Sequence, residues 1–73
     1  MAQPPDELKK LFGVASDLEL SSKVRIKAIE AVGNIGTHEA LLALLELAAK
    51  EALTKQEKEL ALKHASKIIR SGH

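Results

Sequence analysis

The sequence has no cysteine, no tryptophan and no tyrosine, one phenylalanine, two prolines and four glycines. Without cysteine there is no disulfide framework, no cysteine-ligated zinc or iron–sulfur site and no thiol nucleophile. With Phe12 as the single aromatic side chain, there is no platform on which nucleotide bases stack. The eight Val and Ile residues that a sheet core favours are far outnumbered by Leu and Ala. An excess of one charge is missing too. Eleven Lys and Arg against ten Asp and Glu leave a formal net charge of +1, too little to draw the whole chain to nucleic acid or to an anionic membrane. No apolar run approaches the roughly 18 residues of a membrane span. Residues 1–7 carry neither a basic segment nor an apolar stretch of signal-peptide length. A soluble, cytoplasmic protein without a membrane partner is expected.

What remains is a helix-forming composition. Twelve Leu and eleven Ala supply most of the apolar content of the 73 residues, and both are strong helix formers suited to helix-on-helix packing. A chain of this length is expected to be one domain, 1–73, burying only about 60% of its unfolded surface.

Helical periodicity and end signals divide it into four. Pro4 and Pro5 before Asp6-Glu7 read as a helix start, since proline suits the first turn and acids suit its positive end. Leu8, Leu11, Phe12, Ala15 and Leu18 then follow at helical spacing, to about Asp17. Ser21 or Ser22 is the next N-cap candidate. Val24, Ala28, Ala31, Val32 and Ile35 form the stripe of a second helix, which Asn34-Ile35-Gly36 ends, glycine being the usual residue just past a helix. Thr37 opens a third helix, apolar nearly all round between residues 40 and 53, so that it must be central or carry a partner's surface. Thr54-Lys55-Gln56-Glu57 has the pattern of a capping box and starts a fourth helix, which runs to about Ser71.

Shifting the chain by 33 residues lays Leu8, Leu11 and Phe12 on Leu41, Leu44 and Leu45. A shift of 36 lays Val24, Ile26, Ile29, Val32 and Gly36 on Leu60, Leu62, Ala65, Ile68 and Gly72. The three-residue difference falls between helices, where insertion costs little. Two antiparallel helical hairpins, 5–36 and 37–72, are expected. The alternative is a compact four-helix bundle.

The run Val24-Arg25-Ile26-Lys27-Ala28-Ile29-Glu30-Ala31-Val32-Gly33-Asn34-Ile35-Gly36, followed by Glu39-Ala40-Leu41-Leu42-Ala43-Leu44-Leu45, resembles HEAT-like repeats. It is most similar to the short repeats found beside phycobilisome-lyase relatives. Those carry a Val-Arg pair, an Ala three residues after the Arg and a closing Gly-x-Ile-Gly. Helix four has Leu60-Ala61 in place of the Val-Arg pair, as an atypical C-terminal cap would. The resemblance implies an all-α solenoid fragment with a binding or scaffolding role, and an interface position for Arg25.

Arg25 is also the most informative polar residue on position alone. At 100° per residue it falls inside the apolar arc of helix two, where a guanidinium needs a carboxylate or carbonyl partner. Asp17, Glu19 and Glu51 are the candidates, and Arg25 is expected at a seam between hairpins. Leu42, Leu45, Ala49 and Leu53 on the Leu-rich third helix form the candidate partner surface. Lys63, Lys67 and Arg70 recur at i, i+4 and i+7 as a basic strip that could meet phosphates. His38, His64 and His73 lack the spacing of a metal or acid–base site, and the Ser and Thr residues mostly cap helices. No catalytic site, metal or cofactor is expected. The leading expectation is a protein-interaction or scaffolding module binding a protein partner or itself. The alternative is weak nucleic-acid binding by the basic face of helix four.

Overall fold

The computed structural model describes the backbone of residues 5–72 and the side chains of residues 7–72. Pro4 and His73, which entered the expectations above, lie outside the described residues. Those residues form four α-helices: α1 (Pro5–Ala15), α2 (Ser22–Ile35), α3 (His38–Ala48) and α4 (Lys55–Arg70). No helix among them is long and apolar enough to cross a membrane.

Capping explains where three of the helices begin. The Ser21 hydroxyl accepts from the N–H of Val24, and the Thr37 hydroxyl accepts from Ala40. At α4 the capping box is complete: Glu57 N–H donates to the Thr54 hydroxyl, and Thr54 N–H donates to the Glu57 carboxylate. Each bond satisfies a backbone donor that the helix itself cannot. Gly36 follows α2 at φ 70°, a left-handed turn that glycine takes without the strain a Cβ brings.

The helix ends differ from the expectation in two places. α1 stops at Ala15 rather than near Asp17, because Asp17 N–H bonds back to the Val14 carbonyl and its carboxylate accepts from Glu19 N–H. Leu18 therefore leaves the α1 stripe and lies exposed in the turn. α3 stops at Ala48, several residues short of Leu53. Lys50 N–H bonds to Leu47 and Leu53 N–H to Lys50, each reaching back only three residues. That tight turn sends Leu53 back onto the core.

The core is aliphatic. Ile29 and Val32 of α2 and Leu44 and Leu47 of α3 are fully buried, with Ala15, Ala40 and Ala61 filling the close approaches. Leu8, Leu11 and Phe12 of α1 pack on this cluster as half-buried residues. Lys50 sits over the Phe12 ring, 5.4 Å from its centre, tying the end of α3 to α1. α2 touches each of the other three helices, and α1 and α4 do not touch each other among the described residues.

Candidate functional site

α2 presents Arg25 toward α4 from its first turn, with Ser22 beside it. Both meet Glu57, the third residue of α4. The Arg25 Nη2 lies 2.9 Å and Nε 3.2 Å from Glu57 Oε2. The Ser22 hydroxyl donates to the same oxygen. Arg25 Nη1 donates to the Leu20 carbonyl at 2.7 Å and to the Asp17 carbonyl at 3.4 Å. The other carboxylate oxygen, Oε1, receives the Thr54 N–H at 2.9 Å. Glu57 is fully enclosed and Arg25 is 8% exposed.

The carboxylate partner of Arg25 is therefore Glu57, which corrects the expectation of Asp17, Glu19 or Glu51. Asp17 contributes only its backbone carbonyl. Glu57 was legible as a capping-box residue, and that role occupies one oxygen. A carboxylate has two, and the second was free to reach across to α2. Arg25 itself is buried between α2 and α4.

The pair is poised for charge. Burial pushes the Glu57 carboxyl up. Hydrogen bonds from Ser22, from the Thr54 N–H and from Arg25, with the guanidinium charge added, outweigh it and hold Glu57 below its ordinary value. A carboxylate held this way is a poor base, so Ser22 beside it is not an activated nucleophile. Every buried side-chain nitrogen and oxygen among the described residues has a hydrogen-bond partner. The cluster is a buried hydrogen-bond network that joins α2 to α4.

One turn from the C-terminal end of α2, Gly33 lies against the ring of His64 in α4. A Cβ on Gly33 would overlap the imidazole and come within 2.9 Å of the His64 Cβ. His64 is half-buried, and its burial lowers its pKa; Lys67 and Lys63 act in the same direction, while Glu30 opposes them.

Two surfaces remain. On α3, Leu42 is 54% exposed, and Leu45 and Ala49 are exposed beside it. Leu53 is not part of that surface: at 4% exposure it is a core residue, because α3 ends before it and the following turn folds it inward. Sequence reasoning missed Leu62 and Ile69 of α4, which are 49% and 58% exposed. Their spacing of seven was the available signal, since apolar residues seven apart share one helix face. Lys63, Lys67 and Arg70 are all exposed on α4. Glu30 of α2 lies near enough to this strip to act on His64 together with Lys63 and Lys67, so the strip is not purely basic. Among the described residues no group of His, Asp and Glu is placed to hold a metal ion.

No family model, curated protein or solved structure matches this chain.

Proposed function

We propose that this chain is a HEAT-like protein-interaction or scaffolding module, cytoplasmic and without a catalytic site of its own. The observation that carries the reading is the exposed apolar stripe of Leu42, Leu45 and Ala49 on a helix whose opposite side is fully packed. Single exposed leucines are ordinary, but a contiguous apolar stripe marks a contact surface. The packing order supports the arrangement as two antiparallel hairpins. α1 packs chiefly on α2 and α3 chiefly on α4; α2 joins the two pairs through α4, and α1 stays clear of α4. A bundle of four helices around one shared axis would bring α1 and α4 together. The buried Arg25–Glu57 pair joins α2 to α4, the place of a seam between hairpins.

Nucleic-acid binding through Lys63, Lys67 and Arg70 is the weaker reading, since no aromatic accompanies the strip for stacking. A photo-crosslinking residue at Leu42 tests the leading reading. Irradiation in cells should give a discrete adduct from position 42 and none from the exposed Lys23 position on α2. Absence of any adduct from 42, 45 and 49 alike defeats it.

A further inference from the structure

We infer that the partner on this surface is a second copy of the chain, held by a two-fold contact in which α3 of each copy lies antiparallel on α4 of the other. The inference rests on the interaction-module reading and names its partner.

Among the described residues, four of the six exposed large apolar side chains lie on α3 and α4: Leu42, Leu45, Leu62 and Ile69. Their placement follows from helix geometry. Glu57 and His64 are the α4 residues that meet α2. At 100° per residue, Leu62 and Ile69 lie about 120–160° round the axis from both. α4 packs only on α2 and α3 among the described helices. Its buried Ala65, about 80–100° round the axis from both, therefore faces α3, and Leu62 and Ile69 continue that arc outward. On α3, the right-handed sense of the helix places Leu42, Leu45 and Ala49 just beyond the arc that meets α4, on the side away from α1. The two apolar stripes are thus neighbours on one face.

Charge makes that face complementary to itself. Glu39 and Glu46 are exposed along the α3 stripe, and Lys63 and Arg70 are exposed along α4 past Leu62 and Ile69. Each pair is seven residues apart, two helical turns. In the antiparallel hairpin the start of α3 lies beside the end of α4. A two-fold axis running along the helices therefore sets Glu39 opposite the second copy's Arg70, and Glu46 opposite its Lys63. Both contacts occur twice. Acidic rim meets basic rim, and leucine stripe meets the Leu62–Ile69 stripe between them, the arrangement of an apolar centre with a charged edge. A head-to-tail contact has no such match, because among the described residues the start of the array offers Leu18 and Val24 as its exposed large apolar side chains.

Two of the corresponding positions in the first hairpin are partly covered. Phe12 and Ile26, the residues that the internal shifts lay on Leu45 and Leu62, are both half-buried, while their counterparts stand in solvent.

Sedimentation equilibrium of the chain tests the inference. The expected mass is twice 7.9 kDa, and a single-chain mass at every concentration overturns it. Leu45→Glu and, separately, Ile69→Glu should each give the single-chain mass with the helical circular dichroism signal intact. Glu46→Lys alone and Lys63→Glu alone should each raise the dissociation constant about tenfold by opposing like charges. The two together should restore it. A dimer indifferent to both reversals overturns the reciprocal α3–α4 contact. A single-chain mass together with a Leu42 adduct to a different protein overturns the inference and leaves the interaction-module reading standing. Loss of both mass and adduct removes both.

Discussion

Gly33 of α2 lies directly against the His64 ring of α4. The glycine leaves room for an imidazole where any side chain would collide with it. Gly13 is the contrasting case, since a Cβ there would meet nothing within 4 Å. Gly13→Ala should raise stability by up to about 1 kcal/mol, the helix-propensity gain. Gly33→Ala should lower it, because an overlap of this kind costs about 1–3 kcal/mol and exceeds the same gain. His64→Ala in the Gly33→Ala chain removes the ring and should recover most of the loss. Urea melts of the four chains form the check, and equal effects at the two glycines would refute the close approach.

Arg25→Ala leaves Glu57 enclosed without its cation. Breaking one side of a buried pair costs about 3–5 kcal/mol. A domain of this length holds roughly 4–11 kcal/mol, at about 0.05–0.15 per residue. The variant should therefore melt far below the parent chain, or fail to fold at low temperature. Arg25→Lys should fall between, because an ammonium cannot reach Glu57 and the Leu20 carbonyl with one planar fork. A thermal melt followed by circular dichroism reads both.

Stability should fall with acid in two stages. His64 has a folded pKa below its ordinary 6.5, so the unfolded chain binds the proton first. Its contribution is present above pH 6.5 and is lost as pH falls through the folded value. Glu57 is held below 4.5 in the fold. Its contribution is complete above 4.5 and is lost as pH falls through that lower value. Melts across the acid range should show both steps, and His64→Gln should abolish the upper one alone. Stability that rises on acidification from neutral pH would contradict both assignments.

Leu53 and Leu42 should separate cleanly. Leu53→Ala opens a hole in the core and should cost about 2–5 kcal/mol. Leu42→Ala should stay within about 0.5 kcal/mol in the isolated chain and act instead on association. Denaturant midpoints give the first comparison and sedimentation the second.

The four helices were legible because their signals are local. Ser21, Thr37, Thr54 and Gly36 each act within a few residues of themselves, and the structure uses all four as caps. Arg25 was legible as a charge inside an apolar arc. Its partner was not, because Glu57 satisfies a local motif completely and nothing in the sequence marks a carboxylate's spare oxygen. Leu53 was misread for a related reason. Periodicity carried α3 onward through Ala49 and Ala52, whereas the chain turns on hydrogen bonds reaching back three residues, which leave no trace in an apolar pattern. Leu62 and Ile69 lie next to the arc of Ala61, Ala65 and Ile68 in helical spacing, so periodicity alone does not set them apart as exposed. Only the position of α2 decides which edge of that arc is covered.

The Arg25–Glu57 bond also has an order in time. Arg25 leaves the ribosome 32 residues ahead of its partner, which at about 5–20 residues per second is a delay of roughly 2–6 s. Through that interval α1 and α2 can pair, yet the guanidinium has only the Leu20 and Asp17 carbonyls and water to hold it. Until α4 arrives, the surface that it will cover carries a cation without its carboxylate, a charge set in an otherwise apolar face.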